Sequence, residues 1–372
     1  MRIVYTCGGT AGHINPALTM AAGAHARRPD AEILFCGSRG GMEEKLVAKA
    51  GYPIRTIPMQ GFSRKLTPKA LIHNLKTGLY TLEAVPKAKK ILQEFRPDIC
   101  VGTGGYACFP FLVAAHRMGI PTMVHESNAL AGKSVLALED VCDRILLGFD
   151  AARDAFRDPQ KPIWTGNPMT GALQADRAEV RRKYGIPEDI PLVLSAWGSL
   201  GAREMNKATA DLLELAQEDD SFLFMHATGS FGYRWFPALL EERNIHRPNT
   251  DVREYIYGLS ELMYAADVIL CRAGAMTMSE VCAAGLPAII VPSPNVAENH
   301  QEKNARTLEK AGAARVVLEK DCTGQALYGQ LRELLDDEEL RRRMHTCGQT
   351  LAVYDAEERI WNCMTELLAA SR

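Results

Sequence analysis

The chain of 372 residues lacks several features that would assign it to a class at once. It contains no run of about 18 apolar residues, so no segment is expected to span a bilayer. Its 43 basic and 45 acidic residues nearly cancel, which argues against a general nucleic-acid-binding protein. The stretch before the first glycine loop is too short for the apolar core of a signal peptide. We therefore expect a folded cytoplasmic protein that does not bind nucleic acid.

Motifs of metal, redox and dinucleotide chemistry are also missing. The ten cysteines form no CxxC pair, and several lie within apolar runs, where a thiol is usually a small buried side chain. No Asp-x-Asp pair occurs, so backbone amides and cations would have to neutralise a bound diphosphate without a dedicated metal site. The chain also has no GxGxxG loop, which makes a NAD-dependent dehydrogenase the least favoured class. We expect neither a metal nor a cofactor.

Short apolar runs rich in β-forming residues alternate with longer segments of helical spacing, and this alternation occurs twice. The first set of strands extends from 2–6 to 143–148, and the second from 191–197 to 287–292. Such alternation is typical of βαβ units and parallel sheets. The sequence therefore predicts an α/β fold with two Rossmann-like, doubly wound parallel-sheet domains that face a central cleft.

A segment rich in proline and glycine, 161–171, separates the two sets and predicts the domain boundary. We expect an N-terminal domain over 1–164 and a C-terminal domain over 165–345. Residues 346–372 have the pattern of a closing helix, which we expect to pack back on the N-terminal domain.

Both predicted domains open with a glycine loop between a strand and a helix, at 7–13 and at 197–203. Such loops let backbone amides and the positive end of a helix approach a phosphate, although a single one is equally well explained as a tight turn. Two of them favour a bound ligand. His13 follows the first loop, where a helix N-terminus favours a neutral imidazole that accepts protons. A histidine that only caps the helix is the alternative.

Other polar segments follow strands at the edge where parallel sheets bind ligands. They are 104–106 and 125–128 in the first domain, and 271–305 in the second. Within 271–305, Glu280 lies in the helix after a strand and a turn, where an acidic side chain can accept hydrogen bonds from ribose hydroxyls. A solvated helix residue is the alternative for Glu280 taken alone.

The region 51–96 carries nine basic residues against two acidic ones. Within it, Lys69 and Lys76 flank an apolar face that includes Leu75 and Leu79. This pattern indicates either a core-facing helix with a solvated flank or peripheral docking on an anionic membrane.

These motifs together resemble the MurG family of N-acetylglucosaminyltransferases of peptidoglycan synthesis, in the form found in its Gram-positive branch. The resemblance runs from residue 1 to about 340, in order, and is most specific over 271–305. The matching segments are GGTAGH (8–13), GGY (104–106), HESN (125–128), TGNP (165–168), GSLGA (198–202) and the block 271–305.

The resemblance implies a GT-B fold and an inverting transfer of GlcNAc from UDP-GlcNAc, which would be seated mainly on the second domain. The acceptor would be the MurNAc 4-hydroxyl of undecaprenyl-diphosphate-MurNAc-pentapeptide (lipid I), and the product would be lipid II. The enzyme would act as a peripheral protein at the cytoplasmic face of the cell membrane, on an anionic surface.

The resemblance also implies site residues. His13 would accept the proton of the acceptor hydroxyl, with Glu126 as a second catalytic residue, and Ile256 would contact the uracil through its backbone. The residues expected to bind UDP-GlcNAc are Thr10, Ala11, Gly12, Asn128, Thr170, Ser199, Ile256, Ala275, Met276, Thr277, Met278, Ser279, Glu280, Gln301 and Asn304. Those expected to contact the acceptor or the membrane are Gly104, Gly105, Tyr106, Lys65, Lys69, Leu75, Lys76 and Leu79.

The chain departs from the family pattern at Trp197, Leu200, Thr170 and His300, and Thr170 replaces an arginine that would help to neutralise the diphosphate. Ser199, Glu280 and Gln301 are retained, so the activity is still expected. Three alternatives stay open: a UDP-GlcNAc 2-epimerase of the same fold, another glycolipid glycosyltransferase, and a non-catalytic sugar-nucleotide-binding protein.

Overall fold

The computed structural model describes residues 1–59, 61, 67, 83–169 and 174–371. The chain divides into two compact units, Met1–Met169 with Asp355–Arg372, and Thr170–Tyr354. The two boundaries predicted from the sequence, after residues 164 and 345, are both earlier along the chain than these.

The later boundaries have local causes. A strand at Pro162–Trp164 extends the first unit into the segment that was predicted to be the linker. After residue 345 the chain stays with the second unit, because the ring of His345 hydrogen-bonds the Gly285 carbonyl and Tyr354 donates to the Ala283 carbonyl. The last helix then belongs to the first unit.

The first unit is built on a parallel sheet of seven strands. Its strands are β1 (Arg2–Thr6), β2 (Glu32–Ser38), β3 (Ile54–Ile57), β4 (Ile99–Gly102), β5 (Thr122–Glu126), β6 (Arg144–Leu147) and β7 (Pro162–Trp164). They follow the order β3-β2-β1-β4-β5-β6-β7 across the sheet. This is the doubly wound arrangement, in which loops at the carboxyl ends of β1 and β4 border a ligand-binding crevice.

The helices of the first unit follow its strands along the chain. They are α1 (Ala11–Arg27), α2 (Met42–Lys49), α3 (described over 83–95), α4 (Cys108–Arg117) and α5 (Lys133–Leu136), with a 3-10 helix at Asp150–Ala155. Strand β1 shows how the sheet is covered on both faces. Val4 packs in the core with residues of α3 and α4, while Ile3 and Tyr5 pack on the other face with residues of α1.

The second unit repeats this arrangement with six parallel strands. They are β8 (Leu192–Ala196), β9 (Leu223–Ala227), β10 (Thr250–Arg253), β11 (Val268–Cys271), β12 (Ala288–Ile290) and β13 (Ala314–Val316), in the order β10-β9-β8-β11-β12-β13. The carboxyl ends of β8 and β11 therefore correspond to those of β1 and β4 in the first unit.

The helices that follow are delimited by ordinary capping signals. Asp176, Thr323 and Asp337 accept hydrogen bonds from first-turn amides at helix N-termini, and α10 ends at Gly285 in the left-handed conformation. The helices are α6 (Arg177–Tyr184), α7 (Arg203–Leu215), α8 (Phe236–Glu242), α9 (Leu259–Ala265), α10 (Ala275–Ala284), α11 (His300–Lys310), α12 (Gly324–Asp336), α13 (Glu338–Gln349) and, in the first unit, α14 (Ala356–Ala370). Further 3-10 helices lie at Ala297–Asn299 and Glu319–Asp321.

The structure confirms the α/β class and the two doubly wound sheets, and it adds four strands that the sequence analysis missed. These strands, β3, β7, β10 and β13, are the edge strands of the two sheets. An edge strand has one neighbour and less of its surface in the core, so its sequence needs less apolar character. Strand β10, with the sequence TDVR, has no fully buried residue.

Across the described ranges, no helix combines the length and the apolar character needed to cross a bilayer.

Candidate active site

The first glycine loop joins β1 to α1 and places His13 in the first turn of that helix. The Nδ1 atom of His13 lies 3.2 Å from both the Gly8 carbonyl and the Thr10 hydroxyl. A carbonyl oxygen can only accept, so the contact with Gly8 requires a proton on Nδ1. The neutral imidazole then presents Nε2 as its acceptor nitrogen, which is the form that a general base needs.

The loop after β4 packs directly on the first glycine loop. Gly104 and Gly105 adopt positive φ angles of 91° and 79°. A Cβ atom at Gly105 would lie 2.2 Å from the Gly8 carbonyl oxygen, and one at Gly104 would lie 3.0 Å from Cδ2 of His13. Only glycine fits both positions. The structure therefore brings together His13 and two of the residues expected to contact the acceptor.

Tyr106 completes this contact between the two loops. A Cβ atom at Gly9 would lie 3.2 Å from Cε1 of the Tyr106 ring, so ring and loop are in close contact. The Tyr106 hydroxyl lies 3.1 Å from the Ser38 hydroxyl at the end of β2. The predicted residues Thr10, Ala11 and Gly12 are exposed where this loop ends and α1 begins.

Glu43 is a residue of this site that the sequence analysis missed. It lies in the first turn of α2 and is fully buried. Its carboxylate accepts hydrogen bonds from the Ser38 amide at 2.8 Å, the Ser38 hydroxyl at 2.5 Å and the Gly9 amide at 3.3 Å. The available signal was an acidic residue in a helix that follows a glycine-rich turn, which is too common a pattern to single out one carboxylate.

The polar cluster after β5 is tied to the segment after β7. His125 is buried, and burial lowers its pKa to about 4, so the ring is neutral near pH 7. Its Nε2 atom donates to the Gly166 carbonyl at 3.0 Å, and its Nδ1 atom lies 3.3 Å from the Ser127 hydroxyl. Asn167 donates to the Ser127 carbonyl at 3.0 Å. These contacts make His125 and Asn167 part of the framework of the first unit.

Glu126 is buried in the same loop and holds its backbone. One carboxylate oxygen accepts from the amide and the side chain of Asn128, both at 2.9 Å, and the other accepts from the Gly132 amide at 2.8 Å. Glu126 therefore orients the loop that carries Asn128.

In the second unit, the loop after β8 presents Ser199 and Leu200 to solvent. Gly201 has a φ of 81°, and a Cβ atom there would lie 2.1 Å from the Thr228 carbonyl oxygen, so the loop packs on the chain after β9. Trp197 points the other way. It is buried in the core, and its indole nitrogen donates to Thr209 of α7 at 2.9 Å. This departure from the family pattern therefore lies behind the exposed loop.

Helix α10 begins at Ala275 directly after the turn that follows β11. Gly274 at its N-cap provides no side-chain cap, and the first turn contains no acidic residue, so the positive end of the helix is suited to an anion. Ala275, Met276 and Thr277 are half-buried at this end.

Three further residues expected to bind the nucleotide are buried. Met278 and Asn304 are fully buried and Ser279 nearly so. Asn304 donates to the Ala273 carbonyl at 3.1 Å and thereby fixes the turn before α10. The side chain of Asn304 consequently supports this turn from inside.

Glu280 lies one turn further along α10. The Ser260 hydroxyl donates to its carboxylate at 2.6 Å, and burial raises the pKa of the carboxyl group above its usual value. Gln301 is half-buried in α11 and accepts from the Ser293 amide at 2.9 Å. Glu280 in α10 and Gln301 in α11 thus lie in the helices that follow β11 and β12.

Ile256 is 2% exposed, so its side chain is part of the core. The two tyrosines beside it, Tyr255 and Tyr257, are exposed and form an edge-to-face pair with ring centroids 5.2 Å apart. Their aromatic faces offer stacking surfaces next to the predicted uracil contact.

Several predicted residues lie outside the described part of the chain: Lys65, Lys69, Leu75, Lys76 and Leu79 of the basic region, and Thr170 of the linker. The described end of the basic region, 83–95, is helical and buries Ala84, Ala88 and Leu92. That segment is thus a core helix with a solvated basic flank. Among the residues that the structure describes, no three His, Cys, Asp or Glu side chains are grouped as a metal site would require.

Both units match family models. Residues 3–147 match the glycosyltransferase family 28 N-terminal domain, and residues 193–360 match the C-terminal domain of the same family. Together with the two doubly wound sheets, these matches define a glycosyltransferase with the two Rossmann-like domains of the GT-B fold.

Full-length relatives identify the family. A protein of Acetivibrio thermocellus named UDP-N-acetylglucosamine--N-acetylmuramyl-(pentapeptide) pyrophosphoryl-undecaprenol N-acetylglucosamine transferase is 39% identical over 99% of this chain and 98% of its own length. A protein of Lactococcus lactis with the same name is 38% identical over 99% of both chains. The crystal structure of Acinetobacter baumannii MurG matches with a TM-score of 0.78 at 26% identity, covering 98% of this chain and 99% of its own. The chain belongs to the MurG family of N-acetylglucosaminyltransferases.

Proposed function

We propose that this chain transfers GlcNAc from UDP-GlcNAc to the MurNAc 4-hydroxyl of undecaprenyl-diphosphate-MurNAc-pentapeptide. The observation that carries the proposal is the geometry at His13, whose Nδ1 proton is held by the Gly8 carbonyl so that Nε2 is the acceptor nitrogen. The names of full-length relatives supply the two substrates.

The reaction is a displacement at the anomeric carbon of the donor sugar. The acceptor oxygen forms a bond to that carbon, and the bond from the carbon to the UDP oxygen breaks, so the configuration inverts. The hydroxyl proton passes to Nε2 of His13, and UDP leaves as the anion. Tyr106 packs on the first glycine loop and would hold the acceptor, whereas the exposed Thr10, Ala11 and Gly12 would contact UDP-GlcNAc.

The donor would be bound at the carboxyl edge of the second sheet. Glu280 accepts hydrogen bonds from the ribose, the backbone of Ile256 contacts the uracil, and the N-terminus of α10 faces the diphosphate. The uncapped first turn of α10 and the exposed Ser199 loop support this assignment. Amide groups at these two places would stabilise the charge that develops on the leaving UDP, and we propose that no metal or cofactor takes part.

We further propose that the protein acts at the cytoplasmic face of the cell membrane as a peripheral protein. A polyprenyl-linked acceptor is confined to a membrane, and the basic, apolar region around Lys69 and Leu79 has the composition of a docking surface.

The test is a donor-acceptor assay with purified protein, UDP-GlcNAc and a lipid I analogue. We expect release of UDP only when both substrates are present. An epimerase would convert UDP-GlcNAc at C2 without the acceptor, and a binding protein would bind UDP-GlcNAc without releasing UDP. Either result would overturn the proposal.

A further inference from the structure

One peptide group in the first glycine loop is held at both ends by ionisable side chains. The carbonyl of the Gly8–Gly9 peptide accepts from Nδ1 of His13 at 3.2 Å. The amide of the same peptide donates to the Glu43 carboxylate at 3.3 Å. In a trans peptide these two groups point in opposite directions, so Glu43 and His13 lie on opposite sides of one planar unit.

Three glycines around Glu43 leave the space that its carboxylate occupies. A Cβ atom at Gly8, Gly37 or Gly41 would lie 2.5, 2.6 or 2.4 Å from its side-chain atoms. Within the described ranges, no lysine, arginine or histidine forms an ion pair with Glu43. The cost of burying the Glu43 carboxylate is offset by hydrogen bonds from Ser38 and Gly9. Hydrogen bonds to a carboxylate are stronger than those between neutral groups.

We propose that Glu43 is a positioning residue for the base. Its carboxylate orients and polarises the Gly8–Gly9 peptide, whose carbonyl in turn holds the Nδ1 proton of His13. In many enzymes a carboxylate hydrogen-bonds directly to a catalytic imidazole, where it selects the tautomer and makes Nε2 more basic. Glu43 would have the same effect on His13, although a peptide group lies between the two side chains.

The same carboxylate links the two loops of the site. The Ser38 hydroxyl gives its proton to Glu43, so the Tyr106 hydroxyl must donate to Ser38 across their 3.1 Å contact. A loss of the Glu43 charge therefore affects the positions of both His13 and Tyr106.

Among the residues that the structure describes, the two cysteines beside the loop carry no charge near pH 7. Cys7 on β1 and Cys108 on α4 are buried, which raises the pKa of the Cys108 thiol to about 12 and that of Cys7 well above its usual value. Among the described residues, the Glu43 carboxylate is therefore the acidic group that is linked to His13 through this peptide.

The experiment is a titration of the His13 imidazole by NMR in protein labelled at histidine Cε1, with the signal assigned from a His13→Gln sample. We expect Glu43→Gln to lower the pKa of His13 by about 0.5–1 pH unit, since a nearby negative charge that favoured the protonated ring is lost. The matched control is Glu44→Gln, the next residue in α2, whose carboxylate accepts from Thr56 instead. It should leave the pKa of His13 unchanged.

Kinetics provide the second readout. The acid limb of kcat/KM should move to lower pH in Glu43→Gln by the same amount as the NMR pKa, with kcat reduced about tenfold and the KM for UDP-GlcNAc unchanged. Equal His13 pKa values in wild type and Glu43→Gln would overturn the inference. If Glu43→Gln does not fold, the tautomer of His13 in the wild-type protein tests the inference instead. A neutral ring with its proton on Nε2 and not on Nδ1 would contradict the hydrogen bond from His13 to the Gly8 carbonyl, and with it the inference.

This inference rests on the proposed function only for the role of His13 as the base. The NMR titration needs no substrate, so the two claims fail separately. A His13→Ala variant with full activity would refute the base, while a His13 pKa that does not respond to Glu43 would refute the positioning role.

Discussion

At the scale of single residues, His13 is the group on which the proposed chemistry depends. We expect His13→Ala to reduce kcat by ~10²–10⁴ while UDP binding stays nearly unchanged, because proton transfer is lost and the proposed nucleotide contacts lie mainly on the second unit. Steady-state kinetics with a lipid I analogue and calorimetric titration with UDP measure the two effects. His116→Ala, an exposed histidine at the end of α4, is the control. Lost UDP affinity with kcat preserved would make His13 a binding residue.

Glu280 carries the donor side of the proposal. Glu280→Ala should raise the KM for UDP-GlcNAc about tenfold or more, because a hydrogen bond to a charged group contributes roughly 1.5–3 kcal/mol. The exposed Glu242 at the end of α8 offers a matched change, Glu242→Ala, which should leave KM as it is. A folded Glu280→Ala variant with wild-type KM would contradict the ribose contact.

At the scale of elements, buried neutral histidines connect strands and loops in each unit. His125 ties the end of β5 to the segment after β7, and His226 in β9 hydrogen-bonds Ser195 in β8 at 3.0 Å. Burial lowers the pKa of His125 from 6.5 to about 4 and that of His226 to about 3. The unfolded chain therefore binds more protons than the folded chain between about pH 6.5 and these values.

Stability should accordingly fall as the pH falls below about 6.5. For the first unit we expect the free energy of unfolding to drop by roughly 2 kcal/mol between pH 7 and pH 5 from His125 alone. Urea unfolding at both pH values, monitored for each unit, measures the drop. In His125→Gln this part of the pH dependence should disappear, while the exposed His116→Gln should retain it. If the free energy of unfolding of His125→Gln falls between pH 7 and pH 5 as much as that of the wild type, or more, another group is responsible.

At the scale of the whole molecule, the proposed membrane docking depends on the basic and apolar composition of residues 64–82 taken together. Electrostatic attraction is screened over about 8–10 Å at physiological salt, so binding to anionic vesicles should weaken as salt rises. The apolar side chains should add a part that persists at high salt, and Leu79→Asp should remove it.

Vesicle co-sedimentation at low and high salt measures both parts, with a Lys65/Lys69/Lys76 triple-alanine variant for the charge. If wild type and both variants sediment alike, or if none binds at low salt, the docking proposal fails. The transferase proposal is independent of that result, because it is tested with a lipid I analogue in solution.

The sequence by itself determined the two doubly wound sheets and nine of their strands, all of them interior strands of the sheets. Interior strands are buried on both faces, so their sequences are continuous apolar runs that the hydrophobic pattern predicts as strands. The four edge strands carry a weaker signal, and one of them, β7, lies in a segment whose proline and glycine content indicated a linker. The family, and the positions of its motifs, also followed from the sequence.

Only the tertiary structure determined which contacts each motif residue makes. Motif membership did not separate His13, whose ring contacts the Gly8 carbonyl, from Glu126 and Asn304, which are buried and hydrogen-bond the backbone of their loops. Nor did it reveal Glu43, which is 34 residues from Gly9 along the chain and hydrogen-bonded to it in space. The reason is physical: periodicity reports which side chains are buried, whereas the partner of a buried polar group is set by contacts between segments far apart in the chain.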